Sequence, residues 1–162
     1  MALEIERKYL LKSDAWRALV GEGQLLRQGY LSTTPERTVR VRVVDQQAWL
    51  TIKGISQGIA RLEYEYAIPP ADAMQMLDAL CPQPLIEKYR YRIADPAQGI
   101  VWEIDEFLGA NQGLIVAEVE LTSTEQTLNL PEWIGQEVSD DTRYFNSALL
   151  KHPYKDWQAQ AH

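Results

Sequence analysis

The stretch ALEIERKYL (residues 2–10) alternates charged and apolar side chains. Glu4, Glu6 and Lys8 occupy every second position, and Leu3 and Ile5 fill the positions between the charges. Because successive side chains of a β-strand point to opposite faces, this pattern predicts a strand with one charged and one apolar face. A charged strand face usually lies against solvent, so the rest of the sequence must decide whether this one does.

The composition is that of one ordinary globular domain. The chain has 162 residues, enough to bury a core, and we treat residues 1–162 as a single domain. With 23 acidic and 16 basic residues the net charge is −7, which argues against nucleic acid or an anionic membrane as a partner. A polyanion could bind only if the bases were gathered in one place. The single cysteine, Cys81, excludes an internal disulfide and a thiolate metal site.

The sequence offers no pattern for membrane insertion. No apolar run approaches the ~20 residues of a membrane helix. The charged strand pattern begins at residue 4, which does not fit a signal peptide. We therefore expect a cytoplasmic protein without a membrane partner.

Alternating patterns recur along most of the chain, separated by turn-forming stretches such as TTPE (33–36) and GANQG (109–113). About eight strands are predicted, enough to close a small barrel. They cover 2–11, 25–33, 37–45, 48–54, 60–68, 85–94, 100–108 and 114–122. Helical patterns are few and cover 13–20, 70–80 and 142–150. The prediction is a mostly β (α+β) fold with a few peripheral helices.

Most of the predicted strands carry their charges on one face. Arg40 and Arg42 lie opposite Val41, and Glu118 and Glu120 lie opposite Val119. Two architectures fit: a sandwich with charges in solvent, or a barrel with charges lining its interior. A charged interior is costly unless acids, bases and an ionic ligand compensate one another. The strand pattern by itself favours the solvated face.

The order of the motifs resembles the CYTH family, also called triphosphate tunnel metalloenzymes. The family's opening signature, E-x-E-x-K, is present as Glu4-Ile5-Glu6-Arg7-Lys8. Further matches follow in family order: RQGYL (27–31), VRVRV (39–43), LTIKG (50–54), RLEYEY (61–66), EKYRY (87–91), WEIDEF (102–107), AEVEL (117–121) and EVSDDTRYFNSALL (137–150). The resemblance implies an eight-stranded antiparallel closed barrel, open at both ends, whose charged side chains point into a tunnel.

The resemblance assigns the basic residues to the substrate. A triphosphate carries several negative charges, and arginine and lysine supply fixed cations for them. By the family pattern the substrate-binding bases are Arg40, Arg42, Lys53, Lys88 and Arg90, with Lys8 close to the metal end. Arg61 and Arg92 share these faces, and we include Arg61 among the substrate-binding bases. For both residues the alternative is an ion pair with a tunnel carboxylate.

The acidic residues point to a divalent cation. Carboxylates gathered in one place raise one another's pKa, and a metal ion removes that conflict. Mg²⁺ or Mn²⁺ takes oxygen ligands of this kind, and we expect two ions during turnover. We interpret Glu4, Glu6 and Glu120 as ligands of one ion. Glu63, Glu65, Asp105 and Glu118 are candidates for a second ion or for holding the attacking water, and Glu103 fits the same face.

Four residues are candidates for a direct catalytic role: Lys8, Glu6, Glu63 and Tyr30. Tyr30 is predicted to point inward, where a hydrogen bond to Lys8 or to a metal ligand and simple packing are alternatives. Arg143, Tyr144 and Asn146 match the family's C-terminal signature, and either close one tunnel mouth or cap and pack the last helix.

The resemblance implies metal-dependent hydrolysis of inorganic triphosphate to pyrophosphate and phosphate. A class IV-type adenylate cyclase or a thiamine triphosphatase is the alternative within the family. A module that only binds polyphosphate or nucleotide is the non-enzymatic alternative, and the large acid set argues against it because binding needs only the bases. The expected partner is a small-molecule triphosphate, and a homodimer is left open.

Overall fold

The computed structural model describes residues 2–157, of which nearly half lie in β-strands. The strands in this range are β1 (Leu3–Leu11), β2 (Gln24–Ser32), β3 (Arg37–Val44), β4 (Gln47–Gly54), β5 (Ala60–Ile68), β6 (Ile86–Asp95), β7 (Ile100–Phe107), β8 (Ile115–Glu120) and β9 (Ile134–Glu137). The α-helices are α1 (Pro70–Ala79) and α2 (Asn146–Lys151). Short 3₁₀ helices occupy Ala15–Leu19, Gly109–Asn111, Thr142–Tyr144 and Tyr154–Asp156.

Strands β1 to β8 form an antiparallel ring. Their order is β5-β4-β3-β2-β6-β7-β8-β1, and β1 pairs back with β5. The pairing that completes the ring is short, because only residues 3–5 of β1 lie opposite residues 60–62 of β5. The predicted eight-stranded antiparallel barrel is therefore confirmed as a ring of strands, with one short pairing in it.

Strand β9, which the sequence patterns did not predict, pairs with β1 outside the ring. It pairs with the C-terminal part of β1, which β5 does not reach, and places Glu137 opposite Tyr9 and Ile134 opposite Leu11. A Cβ on Gly135 would lie 3.1 Å from the backbone oxygen of Leu10, so the close approach of the two strands favours a glycine there. With four residues and little alternation, this segment gives no strand signal of its own.

The apolar outer faces of the ring are covered by peripheral segments. Outward side chains of β1, β7 and β8 pack against Trp16 in the first 3₁₀ helix and against Trp133 before β9. Helix α1 places Ala73 and Leu77 against Val41 on the outside of β3. Because the apolar faces find cover outside, the charged faces turn inward, and the barrel describes the protein where the sandwich does not.

The predicted helices form with shorter bounds. Helix α1 begins at Pro70, where the missing N–H costs no hydrogen bond, and ends at Ala79. The segment predicted as a helix over 13–20 forms only the 3₁₀ helix Ala15–Leu19. The segment 142–150 is split into a 3₁₀ helix and α2, because Phe145 has an extended backbone (φ −67°, ψ 134°). Across residues 2–157 no helix has the length and apolar character needed to cross a membrane.

One end of the ring interior is closed. Ile86, Phe107 and Val116 continue the inward faces of β6, β7 and β8, and each is 2 % exposed. They pack with Tyr144 and Leu149 of the C-terminal segment. The interior is therefore a cavity with a floor, and not the tunnel open at both ends that the resemblance implied. The physical reason is that the inward residues at this end are apolar and are stabilised by cover.

Candidate functional site

A cavity of about 430 Å³ occupies the ring interior, and most of its lining is charged. Every strand of the ring contributes to it. The charged lining residues are Glu4, Glu6, Lys8, Arg40, Arg42, Lys53, Arg61, Glu63, Glu65, Lys88, Arg90, Arg92, Glu103, Glu118 and Glu120, and Tyr30 and Trp49 also reach the cavity. The structure thus brings all of the predicted site residues to one cavity wall except Asp105.

Acids and bases differ in depth within the cavity. Lys88 is 1 % exposed and Arg90 is 8 % exposed, whereas Glu65 and Glu120 are exposed at the open end. The floor is formed by residues 145–147 at the start of α2. Lys8 is fixed at this floor, because its Nζ donates to the backbone oxygen of Tyr144 at 3.1 Å. The closed end therefore holds bases together with buried acids such as Glu118, which is 8 % exposed, and the open end includes the exposed acids Glu65 and Glu120.

Strand register places opposite charges against each other at several points. Lys53 of β4 lies opposite Glu63 of β5, and the Nζ–Oε2 distance is 3.2 Å. Lys8 of β1 lies opposite Glu118 of β8, and their Nζ–Oε1 distance is 3.5 Å. Opposite charges directly across neighbouring strands stabilise a sheet, so these pairs help the ring to tolerate an ionic interior.

Asp105 lies behind the cavity wall, between Lys88 and Arg90. Its Oδ2 accepts a hydrogen bond from Lys88 Nζ at 2.7 Å, and its Oδ1 accepts one from Arg90 Nε at 2.7 Å. Burial alone would raise the pKa of Asp105, but the two cations lower that pKa far below its ordinary value. Because both carboxylate oxygens are engaged by bases, the geometry fits Asp105 to orienting Lys88 and Arg90 more than to binding a metal.

A second group of acids gathers where β1, β5 and β8 meet, and only some of its members are paired with a base. Glu4, Glu63 and Glu120 each place a carboxylate oxygen within 4.8 Å of the others. Glu6 lies directly opposite Glu120 across the β1–β8 pair. Lys53 contacts Glu4 and Glu63, at 3.1 and 3.2 Å. Within residues 2–157 neither Glu6 nor Glu120 forms an ion pair with a base, unlike the acids deeper in the cavity.

The pKa shifts of this group have a common cause. Burial raises the pKa of Glu6 to about 8, and nearby carboxylates add to the effect. Burial and the charge of Glu4 raise the pKa of Glu63 and that of Glu120. Burial also acts to raise the pKa of Glu4, but Lys53 outweighs it and the net shift is downward. Adjacent carboxyls that resist ionisation are a donor set that a divalent cation would relieve, so these residues fit a metal.

The grouping differs in part from the sequence interpretation. Glu63 joins Glu4 and Glu120 in one group, with Glu6 beside it, whereas the sequence interpretation placed Glu63 with a second ion or with the attacking water. Glu118 contacts Lys8, which lowers the pKa of Glu118 to about 2 against the opposing effect of burial. Glu65 lies apart, where its Oε2 accepts a hydrogen bond from Thr51 at 3.0 Å.

Arg42 differs from the other bases of the cavity. It forms no ion pair within residues 2–157, and its Nε donates instead to Gln28 Oε1 at 2.8 Å. Burial, with the charges of Arg40 and Arg90, lowers the pKa of Arg42 to about 9. Burial likewise lowers the pKa of Lys88 to about 7 in spite of Asp105. Positive charge is thus in excess at the closed end, where an anion would relieve it.

Several contacts at the closed end involve residues to which sequence reasoning gave no role or only a tentative one. Gln28 carries no charge and therefore gave no signal, yet its Nε2 donates to the Tyr30 hydroxyl and to Asn146 Oδ1, both at 3.2 Å. Tyr30 is 4 % exposed and packs in the apolar floor, and Lys8 Nζ bonds to Tyr144 in place of Tyr30.

The remaining residues of the C-terminal signature take separate positions. Asn146 lines the cavity floor and accepts a hydrogen bond from Lys88 at 2.9 Å. Tyr144 packs in the apolar cluster under the floor. Arg143 is exposed and pairs with Asp141 at 2.6 Å, so it does not contact the cavity.

Comparison with known proteins agrees with this arrangement. The model of the CYTH domain family matches residues 2–149. An inorganic triphosphatase of Acetivibrio thermocellus is 48% identical over 158 residues, which cover 98% of this chain and 99% of that protein. An inorganic triphosphatase of Nitrosomonas europaea is 37% identical over 154 residues, which cover 90% of this chain and 95% of that protein.

Solved structures share the ring. The crystal structure of an inorganic triphosphatase has a TM-score of 0.62 and 34% identity, and the match covers 90% of this chain and 96% of that one. A Hippeastrum protein with a dominant triphosphatase activity has a TM-score of 0.57 at 16% identity, covering 75% of this chain and 81% of that one, which supports the fold alone. Since the family model spans nearly the whole chain and two relatives exceed 30% identity, this chain belongs to the CYTH domain family.

Proposed function

We propose that this protein is a metal-dependent inorganic triphosphatase, which hydrolyses triphosphate to pyrophosphate and phosphate inside the ring. The observation that carries the proposal is that one cavity holds both acids and a base whose charges no ion pair balances. Among residues 2–157, Glu6 and Glu120 form no ion pair with a base, and Arg42 forms none with an acid. Two relatives of nearly full length, both named inorganic triphosphatase, support it.

The bases would bind and orient the triphosphate. Arg40 and Arg42 come from β3, Lys53 from β4, and Lys88 and Arg90 from β6, so they line the half of the ring that runs from β4 to β6. Such an arrangement fits a chain of phosphates better than a single phosphate group. Fixed cations that need no rearrangement during the reaction stabilise the developing charge of phosphoryl transfer, which is the main contribution a protein makes there.

The acids would hold the cation. Glu4, Glu63 and Glu120 are close enough to share one ion, and Glu6 extends the group toward β8. We propose Mg²⁺ or Mn²⁺, because both prefer oxygen ligands, and two ions during turnover, because these acids outnumber the carboxylates that one such ion takes. When bound, the metal would neutralise phosphate oxygens and orient the attacking water.

The candidate catalytic residues take different places around this site. Glu63 borders both the acid group and the cavity, so we propose that it helps to hold the attacking water. Lys8, at the floor, is placed to contact a phosphate oxygen. Tyr30 accepts its hydrogen bond from Gln28, and we propose that it shapes the closed end and takes no direct part in the reaction. Arg61 contacts Glu4 at 3.4 Å and would support the substrate from the acid side.

The alternatives within the family differ at the organic end of the substrate. A cyclase or a thiamine triphosphatase must also hold a ring system. Trp49 is the aromatic residue of β4 at the cavity wall, where Arg42 lies directly opposite it on β3. A module that only binds polyphosphate would have no use for the uncompensated Glu6 and Glu120, which weaken the binding of an anion unless a metal is present.

The test is phosphate release from inorganic triphosphate by the purified protein, with Mg²⁺, with Mn²⁺ and with excess EDTA. We expect equal amounts of pyrophosphate and phosphate with either metal, identified by ³¹P NMR, and no release in EDTA. ATP incubated in parallel separates the alternatives: cyclic AMP among the products would indicate a cyclase. Tight binding of triphosphate without turnover under every metal condition would indicate a binding module.

A further inference from the structure

Two neutral amides connect a pair of cations at the closed end of the cavity. Arg42 Nε donates to Gln28 Oε1 at 2.8 Å. Gln28 Nε2 donates to Asn146 Oδ1 at 3.2 Å, and Lys88 Nζ donates to the same oxygen at 2.9 Å. Gln28 is 0 % exposed and Lys88 is 1 % exposed. These contacts join β3, β2, β6 and the first residue of α2 in one hydrogen-bonded series.

Arg42 and Lys88, the cations at the two ends of this hydrogen-bonded series, fix the orientation of the Gln28 and Asn146 amides. Arginine and lysine side chains only donate hydrogen bonds, so each must meet an oxygen. Gln28 therefore turns its oxygen to Arg42 and its nitrogen to Asn146, whose oxygen also meets Lys88. Reversing either amide would bring buried donors face to face, which is costly where water cannot replace the lost bond. The series therefore has one stable arrangement.

Neutral acceptors hold Arg42 without cancelling its charge. Arg90, by comparison, meets Asp105 at 2.7 Å and so shares its charge with a carboxylate before any substrate arrives. Arg42 forms no ion pair among residues 2–157, and its guanidinium lines the cavity while Nε is held from behind. A phosphate at this position meets a cation that is both oriented and uncompensated, which favours bidentate binding.

We infer that Gln28 and Asn146 are positioning residues, which hold Arg42 and Lys88 in the geometry that binds the phosphate chain at the closed end. The inference rests on the proposed function, because it takes those two bases to be substrate-binding. It adds that affinity for triphosphate depends on two uncharged side chains. Gln28 is not part of the cavity lining, so it acts on the substrate only through its contacts with Arg42 and Asn146.

The experiment compares Gln28→Leu, Gln28→Glu and Asn146→Leu with the wild type in the full chain. The dissociation constant of triphosphate is measured by calorimetry in EDTA, and that of Mn²⁺ is measured separately without triphosphate. Gln98→Leu is the matched control. Gln98 is also hydrogen-bonded at both ends of its amide, to Asp95 at 2.7 Å and to the backbone N–H of Asn129 at 2.8 Å, but lies outside the cavity.

We expect Gln28→Leu and Asn146→Leu to raise the dissociation constant of triphosphate about tenfold, the loss of one charge-assisted contact. The dissociation constant of Mn²⁺ should not change in these variants. Gln28→Glu keeps the volume and the acceptor but pairs Arg42 with a carboxylate, so it should weaken triphosphate binding at least as much. A packing role for Gln28 predicts near wild-type affinity for Gln28→Glu, and that result would overturn the inference.

Parallel loss of triphosphate and Mn²⁺ affinity in the Gln28 variants would also overturn it, because general loosening of the ring would then explain both. An equal loss of triphosphate affinity in Gln98→Leu would overturn the inference as well. Failure of the proposed function looks different: the wild type would bind triphosphate in EDTA and depend on Gln28, yet release no phosphate when Mg²⁺ is added.

Discussion

Glu6 of β1 lies directly opposite Glu120 of β8, so that two carboxylates face each other across neighbouring strands. Like charges in this position destabilise a sheet, because the Cβ atoms are only about 4.5–5.5 Å apart. The other acid pair of this kind, Glu103 opposite Glu118, has Arg90 beside it, 3.3 Å from one carboxylate and 3.7 Å from the other. Among the described residues no base plays this part for Glu6 and Glu120, which is why we assign the cation there.

The raised pKa of Glu6 makes the stability of the metal-free protein depend on pH. Burial raises this pKa from 4.5 to about 8, so between these values the folded protein holds a proton that the unfolded chain releases. The favourable contribution of Glu6 to the free energy of unfolding is therefore fully present below about pH 4.5, and it is lost as the pH rises through about 8. We expect Glu6→Gln to raise Tm in EDTA by at least ~3 °C at pH 8 and to change it little at pH 5.

Thermal unfolding at the two pH values checks this prediction. Arg7→Gln on the outward face of β1 is the control, since Arg7 pairs with Glu137 at 3.0 Å outside the cavity. An equal change in Tm for Glu6→Gln at both pH values would contradict the raised pKa of Glu6.

Glu120→Gln should abolish turnover while leaving the fold intact. It removes one carboxylate of the acid group, and losses around a metal centre reduce activity by about 100-fold or more. Tm should hold or rise, since relieving like charges need not destabilise a protein. The measurements are kcat with Mg²⁺ and the Mn²⁺ dissociation constant. Glu106→Gln is the matched control, because Glu106 lies on β7 outside the cavity lining and pairs with Arg17 at 2.8 Å. A near wild-type kcat for Glu120→Gln would refute the assignment of the metal.

Arg42→Ala should weaken substrate binding more than it slows the reaction. Arg42 is the cavity base held by a neutral acceptor, and losing its charge-assisted contacts with phosphate should raise KM for triphosphate by about 10- to 100-fold. Steady-state kinetics at saturating Mg²⁺ measure this. Arg27→Ala is the control, because Arg27 lies on β2 outside the cavity, 3.7 Å from Glu87. An unchanged KM in Arg42→Ala would remove Arg42 from the substrate site.

The sequence could predict which charged side chains lie on the same strand face, because side chains of a β-strand alternate with a period of two. Glu4, Glu6 and Lys8 line one cavity for this reason, once the resemblance decides for a barrel over a sandwich. The grouping of the acids could not be predicted. Glu63 comes close to Glu4 only because β5 pairs back with β1, and that register is a property of the whole ring.

The floor of the cavity was also beyond the sequence patterns. Ile86 and Phe107 sit at inward positions of strands that otherwise carry charges, and their meaning depends on a distant segment that packs on them. Gln28 is uncharged, and although RQGYL (27–31) matches the family order, the sequence assigns Gln28 no chemical role. Its role follows from contacts with Arg42 and Asn146, which are far from it in sequence.

The shape and charge of the cavity also predict which substrate is preferred. Pyrophosphate would leave some of the surrounding bases without an anion, and an unpaired buried charge is costly. ATP offers three phosphates, but its nucleoside would have to pass among Glu65, Glu120 and the other ionic side chains toward the open end. Inorganic triphosphate meets the bases without either cost.

The most direct measurement of this preference is kcat/KM for inorganic triphosphate, pyrophosphate, ATP and thiamine triphosphate, at one pH and one Mg²⁺ concentration. We expect the value for inorganic triphosphate to exceed each of the others by at least about tenfold, which corresponds to one buried cation left without its partner. A larger kcat/KM for ATP than for triphosphate, with cyclic AMP among the products, would contradict the proposed triphosphatase.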